Sequence, residues 1–161
     1  MSLKSWLILF KAQHERARAG TLSGGGLAEY RAGRDELARA LLGAQAAGLK
    51  PGEVPRQALR VARALQADLE WSVDRVRAVT QEFSVGGFSA LLAKVPPTDE
   101  EIKFTLRLPG VDPVSGRARV MGSVTQPAVL RVSFAFIGLG AAERDRLEFA
   151  VFDTVLQNIQ V

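Results

Sequence analysis

The 161-residue sequence contains no cysteine and only one histidine, His14. The lack of cysteine excludes disulfide bonds, thiol chemistry and cysteine-ligated metals. A single histidine rules out a three-histidine zinc site and leaves only His14 as the base of any Ser-His-Asp triad. His14 follows a short amphipathic stretch, where we expect a surface histidine. Walker, nucleophile-elbow and dinucleotide-binding motifs are also missing. We therefore predict a protein that is not an enzyme, with no catalytic residues and no metal.

Long apolar runs are missing as well. The run from Trp6 to Phe10 is too short to span a bilayer, and it passes directly into the polar segment Lys11 to Arg16. It also lacks the length and the small-residue cleavage site of a signal peptide. We therefore expect no membrane span and a cytoplasmic location, with which a cysteine-free chain is compatible.

Positive charge is plentiful and is carried mainly by arginine. The net charge is +4, with 16 arginines against 5 lysines. The planar guanidinium fork suits phosphate oxygens and guanine edges. Scattered arginines are explained well enough by overall composition, so only arginines at a defined spacing are informative.

Hydrophobic periodicity predicts helices in the N-terminal part. Leu3, Trp6, Leu7 and Phe10 share one helical face, which predicts a helix over residues 2–18. Three consecutive glycines favour a flexible link over residues 20–26. A second apolar stripe, interrupted only by an arginine, predicts a helix over residues 27–47.

The remainder alternates with period two, which is typical of half-buried strands. Short turns without intervening helices favour an antiparallel barrel or sandwich over a parallel sheet. We predict an α+β protein: a small antiparallel six-stranded β-barrel with N-terminal helices and a C-terminal helix. The expected domains are residues 1–50, a helical extension, and 51–161, the barrel with its closing helix. The predicted elements are a hairpin over 65–80 turning near Asp74, a turn at 84–87, strands at 88–92 and 102–108, a hairpin turn at 112–116, strands at 117–123 and 129–137, and a helix at 143–159.

Two groups of residues could bind a ligand. Arg56 and Arg60 stand four residues apart after a proline-rich loop, where both can converge on one ligand. Glu82, Ser84 and Gly87 lie around the turn between two strands. A carboxylate can accept hydrogen bonds from guanine N1 and N2, a serine adds a hydroxyl, and glycine permits close approach of the backbone.

Together these residues resemble the signature of the PilZ domain family. PilZ domains carry Arg-x-x-x-Arg just before their first strand, and Asp/Asn-x-Ser-x-x-Gly further along. Arg56 and Arg60 match the first motif, and Ser84 and Gly87 match the second, with Glu82 at its acidic position. The resemblance covers roughly residues 50 to 155, and glutamate instead of Asp or Asn at position 82 is a departure from it.

The resemblance implies a receptor for cyclic di-GMP. Arg56 and Arg60 would hold phosphates and stack on guanines, Glu82 and Ser84 would contact a guanine edge, and Gly87 would allow close approach. It also implies an adaptor that regulates motility, polarity or biofilm-type outputs through a protein partner, which we expect to bind the N-terminal helices. A homodimer is a further possibility.

Two alternatives remain open at this point. A PilZ-like protein that no longer binds the nucleotide would act through protein–protein interaction alone, and Glu82 favours this. A nucleic-acid-binding barrel is suggested by the basic balance, but the strands place few aromatic residues between basic ones. We therefore rank nucleic acid last and predict that it is not a partner.

Overall fold

The computed structural model describes residues 1–53 and 58–159. In these ranges the chain forms three helices and seven strands. It divides into two compact units, Met1–Leu59 with Val155–Val161, and Arg60–Thr154. None of the described helices combines the length and the apolar character needed to cross a membrane. The elements are α1 (Leu3–Arg18), α2 (Gly24–Ala47), β1 (Val61–Ala62), β2 (Gln66–Trp71), β3 (Asp74–Phe83), β4 (Gly87–Leu92), β5 (Ile102–Leu106), β6 (Val114–Gln126), β7 (Val129–Ile137) and α3 (Ala141–Asn158).

The first unit contains α1 and α2, joined by a stack of aromatic rings. Ser2 caps α1 by accepting a hydrogen bond from Ser5 N–H. The ring of Phe10 lies between those of Trp6 and Tyr30, at centroid distances of 5.2 and 5.5 Å. The arginine that interrupts the apolar stripe, Arg34, is buried with its guanidinium 5.3 Å from the centre of the Tyr30 ring. The cation–π contact with Tyr30 offsets part of the cost of burying this charge.

The second unit is a closed antiparallel barrel. Six strands pair in the order β3-β2-β5-β6-β7-β4, and pairing of β4 with β3 closes the ring, while β1 adds to the edge of β3. Closure removes the exposed sheet edges that would otherwise template aggregation. The predicted α+β class and six-stranded barrel with flanking helices are confirmed, with the two-residue β1 as an addition.

Phenylalanine rings fill the barrel. Phe88 stacks on Phe134 with 4.8 Å between centroids, and Phe104 lies 5.0 Å from Phe136. Along β5 buried and outward-facing residues alternate, which is the period-two pattern of a strand with one buried face. β4 is buried at every position except Leu91, so alternation alone does not describe the whole barrel wall.

Two hydrogen bonds connect α3 to loops of the barrel. Arg63 Nη1 donates to Thr154 Oγ1 at 3.1 Å, and Arg146 Nη2 donates to the carbonyl oxygen of Pro113 at 3.4 Å. The guanidinium of Arg63 is thus directed to α3.

The flexible link expected at residues 20–26 is wrong in its second half. Gly24, Gly25 and Gly26 form the first turn of α2, which begins after Ser23. The first helical residues have no intrahelical partner for their N–H groups in any case, so glycine costs less there than in a helix interior. Gly24 also has φ +58°, which glycine adopts without steric cost.

The hairpin turn expected at residues 112–116 is also misplaced. β6 already begins at Val114, and Gly116 lies inside it, paired with Phe104 of β5. A Cβ at Gly116 would lie 3.2–3.4 Å from Leu139 and from the Phe104 ring. This glycine therefore makes room for core side chains and does not form a turn.

The expectation of a surface His14 is wrong as well. His14 is buried, and its Nδ1 lies 2.7 Å from the hydroxyl oxygen of Tyr30. Pairing with Tyr30 satisfies a polar ring inside the helical unit. The amphipathic pattern of α1 failed to show this because the pattern does not indicate where α2 crosses.

We predict that Thr80→Val destabilises the barrel. Thr80 is buried, and its hydroxyl accepts from Leu65 N–H at 2.9 Å and donates to the Arg63 carbonyl oxygen at 2.7 Å. Valine leaves both backbone groups without this partner, which costs about 2 kcal/mol. The free energy of unfolding from urea titration measures the loss.

Thr125→Val is the matched control, because Thr125 is an exposed strand threonine. We expect a change below about 0.5 kcal/mol for it. Equal effects of the two substitutions would contradict the role given to the Thr80 hydroxyl.

Candidate functional site

A carboxylate between two arginines lies on the outer surface of the barrel. Oε2 of Glu82 is 3.6 Å from Arg60 Nη1 and 3.1 Å from Arg131 Nη2, the latter with hydrogen-bonding geometry. The exposed fractions of the three side chains are 30–32%. The cluster carries a net charge of +1 and is open to solvent, so it can receive an anionic ligand.

A β-bulge turns Glu82 outwards. Along β3, Ala78 and Thr80 are buried, and strict alternation would place residue 82 inside as well. The register shifts between Thr80 and Glu82, so that Thr80 pairs with Ala90, Glu82 with Ser89 and Phe83 with Phe88. The extra residue, Gln81, moves Glu82 to the outer face while Phe83 returns to the core.

The short strand β1 brings Arg60 to the carboxylate. Val61 pairs with Phe83 and Ala62 with Glu82. Arg60 directly precedes this pairing, so its side chain starts beside the end of β3. Arg131 lies on β7, the strand that pairs with β4.

The predicted turn at residues 84–87 is confirmed, and Ser84 holds it. The Ser84 N–H donates to the Gly87 carbonyl oxygen at 2.8 Å, and the Ser84 hydroxyl oxygen accepts from Gly86 N–H at 3.0 Å. Ser84 is 4% exposed. The hydroxyl oxygen thus shapes the turn.

Gly87 is required by the barrel itself. A Cβ at this position would lie directly against the backbone carbonyl of Phe134 in β7. The close approach that glycine permits here is therefore between β4 and β7.

Two more side chains on this outer face were missed by sequence reasoning. Ser89 pairs with Glu82 on one side and with Ser133 on the other. The Ser89 hydroxyl is buried, and within the described part of the chain it has no hydrogen-bond partner. Arg131 was missed too. Its alternation with Val132 signals an outward arginine, but strand order alone decides that it meets Glu82.

Of the five residues predicted for the site, the structure places Arg60, Glu82, Ser84 and Gly87 around one end of β3 and the turn into β4. Arg56 lies outside the described residues. Among the described residues, no group of three or more acidic or histidine side chains could hold a metal ion.

The sequence profile of the PilZ domain matches residues 55–153. The chain belongs to the PilZ domain family. The match spans the barrel strands, the candidate cluster and the start of α3. No curated protein sequence matches the chain.

Solved PilZ-type structures share the fold. They include the Bacillus subtilis inhibitor of motility MotI/DgrA, with a TM-score of 0.60, 18% identity and coverage of 70% of this chain and 59% of the other. Escherichia coli YcgR in complex with c-di-GMP has a TM-score of 0.56, 16% identity and coverage of 63% and 46%. The K. pneumonia MrkH–c-di-GMP complex has a TM-score of 0.55, 16% identity and coverage of 65% and 54%. The chain thus spans about half the length of these three relatives.

We predict that Gly87→Ala strongly destabilises this PilZ barrel. The added methyl group meets backbone atoms of β7, which cannot yield without separating the two strands. Overpacking of this kind costs about 3 kcal/mol, or a fall in Tm of roughly 6–12 °C. Differential scanning calorimetry measures the change.

Gly86→Ala is the matched control for Gly87→Ala. A Cβ there lies 3.6 Å from the Ser84 hydroxyl oxygen, an ordinary contact. A Gly87→Ala protein as stable as the Gly86→Ala protein would refute the close approach of β4 and β7.

Proposed function

We propose that this PilZ barrel is a cyclic di-GMP receptor without enzymatic activity. The observation that carries the proposal is the partly exposed cluster of Arg60, Glu82 and Arg131, which coincides with both PilZ motifs. An arginine cluster of net positive charge suits the two phosphates of the nucleotide. The family match and the nucleotide held by YcgR and MrkH support the choice of ligand.

Each motif residue then has a role. Arg56 and Arg60 hold phosphates and stack on guanine, and Glu82 accepts hydrogen bonds from a guanine edge. Ser84 keeps the turn in shape and donates its hydroxyl hydrogen. Gly87 acts indirectly, by allowing β4 to lie against β7.

The ion pairs of Glu82 suggest how the site changes on binding. Arg60 is 3.6 Å from the carboxylate, whereas Arg131 is 3.1 Å away and hydrogen-bonded to it. A phosphate can therefore recruit Arg60 while Arg131 continues to hold Glu82. The longer side chain of glutamate, compared with the family's aspartate or asparagine, is accommodated by this second arginine.

Calorimetric titration of cyclic di-GMP into the full chain tests the receptor function. We expect micromolar or tighter binding, weakened about 10- to 100-fold by Arg60→Ala because a charge-assisted contact is lost. Arg144→Ala, which removes an exposed arginine from α3, is the control and should leave the affinity unchanged. Absence of heat together with an unchanged Tm at saturating nucleotide would refute the proposal.

We also predict that Arg131→Gln weakens cyclic di-GMP binding by about 10-fold. The substitution removes one positive charge from the cluster. When the nucleotide then recruits Arg60, Glu82 is left with no guanidinium partner in the cluster. The same titration measures the change, with the Tm of the free protein as a check on folding. An affinity equal to that of the unmodified chain would show that Arg131 has no part in the site.

The output is proposed to pass through a protein partner at the N-terminal helices. Leu3 and Leu9 of α1 are 72% and 53% exposed and offer apolar contact area. Regulation of motility is the output suggested by MotI/DgrA, an inhibitor of motility. Polarity and biofilm-type outputs, a cytoplasmic location and a homodimer belong to the same proposal.

A second function is favoured by the ion pair itself. Glu82 already engages Arg60, and glutamate differs from the family's Asp or Asn at this position. A barrel in which this pair persists would not bind the nucleotide and would act through protein–protein interaction alone. Normal folding with no nucleotide binding, in the unmodified chain and in Arg60→Ala alike, is the outcome expected for this function.

A further inference from the structure

A second concave surface lies on the outer face of β3, β2, β5 and β6. It is open to solvent and has a volume of about 790 Å³. We call it the sheet groove. Its charged lining consists of Arg75, Arg77, Lys103, Arg117, Asp68 and Glu70. Four cations face two carboxylates, so the lining has a net charge of +2.

The carboxylates of the groove are already engaged by arginines. Glu70 pairs with Arg75 at 3.3 Å, and Asp68 is shared between Arg77 at 3.4 Å and Arg107 at 2.9 Å. Burial raises the pKa of Asp68, but hydrogen bonds from Arg107 and Gln66 and the charges of Arg107 and Arg77 outweigh it, so its pKa is lowered. Asp68 therefore stays ionised at neutral pH and does not free its arginines.

Lys103 and Arg117 form an unusual pair across the groove. They are direct neighbours on β5 and β6, where like charges destabilise the sheet. Arg117 forms an ion pair with Glu101 at 2.8 Å. On its other side Lys103 is paired across the sheet with Glu70 of β2, whose carboxylate forms an ion pair with Arg75. Within the described ranges Lys103 itself makes no ion pair. An anion placed between the two cations would remove this repulsion.

Two hydroxyl groups stand beside these cations. Thr105 and Ser115 are the next outward-facing pair on β5 and β6, and their hydroxyl oxygens are 3.0 Å apart. One hydroxyl donates to the other, so the pair retains one hydroxyl hydrogen. Together with the two cations it forms a compact set of donors for carboxylate oxygens.

The other residues that line the groove favour one class of anionic partner, an acidic protein segment, over nucleic acid. The aromatic residue of the lining, Phe104, is 2% exposed and stacks inside the barrel, so it offers no platform for bases. Asp68 and Glu70 would repel phosphates and acidic side chains alike, but they can accept hydrogen bonds from the backbone N–H groups of a protein chain, which a phosphate backbone does not have. Charge complementarity thus favours an acidic protein segment over nucleic acid.

We propose that the sheet groove binds an acidic segment of a partner protein, with carboxylates held by Lys103, Arg117 and the Thr105–Ser115 hydroxyl pair. This site uses other side chains than the cyclic di-GMP site and does not depend on it.

The test uses the ¹⁵N-labelled full chain without nucleotide, titrated with a short acetylated peptide of alternating glutamate and serine. We expect backbone signals of Lys103, Thr105, Ser115 and Arg117 to shift, and binding to weaken as salt is raised. Shifts confined to other residues, or none at saturating peptide and low salt, would overturn the proposal.

The double variant Lys103→Gln, Arg117→Gln should reduce peptide affinity at least about 10-fold in fluorescence polarisation. The control, Lys11→Gln with Arg144→Gln, removes the same charge from exposed helical positions and should change affinity less than about twofold. Equal losses in both variants would show non-specific attraction and refute the site. Tighter binding of a single-stranded oligonucleotide of equal charge at the same residues would also refute it, in favour of nucleic acid.

Discussion

The bulge at Gln81 determines which side chains at the end of β3 point into the barrel and which point out. Before it, Ala78 and Thr80 point inwards, and after it Phe83 regains the core while Glu82 points out. The same register lets β4 pair with β3 and close the ring. If the same residues alternated strictly, Glu82 would enter a core of phenylalanine rings and Phe83 would leave it. The cost of burying an unpaired carboxylate makes this register the stable one.

Once Glu82 points outwards, closure of the barrel determines its partners. β1 pairs with β3, which places Arg60 next to Glu82. β7 pairs with β4, which places Arg131 on the other side of the carboxylate. Two guanidinium groups then share one carboxylate on a partly exposed surface, so either ion pair can be exchanged for a ligand contact at modest cost. The turn from Ser84 to Gly87 is closed by the hydrogen bond from Ser84 N–H to the Gly87 carbonyl oxygen, and the missing side chain at Gly87 lets β4 lie against β7.

The barrel therefore presents two distinct polar surfaces. At the end of β3, one carboxylate is enclosed by two arginines, which suits exchange with a small anionic ligand. In the sheet groove, cations exceed carboxylates and two of them face each other directly. The proposed receptor function would use the first of these surfaces, and the proposed acidic segment would use the second.

The sequence by itself determined the fold class, the strand alternation, the turn at Ser84 to Gly87 and the identity of four described motif residues. These follow from local rules, since side-chain period and turn chemistry act within a few residues. It could not reveal that Arg131 meets Glu82, that Ser89 lies between Glu82 and Ser133, or that His14 is buried against Tyr30. Those facts depend on which strands and helices become neighbours. Only the tertiary structure decides this, because cross-strand register and helix crossing are set by closure of the barrel and packing of rings far apart in the chain.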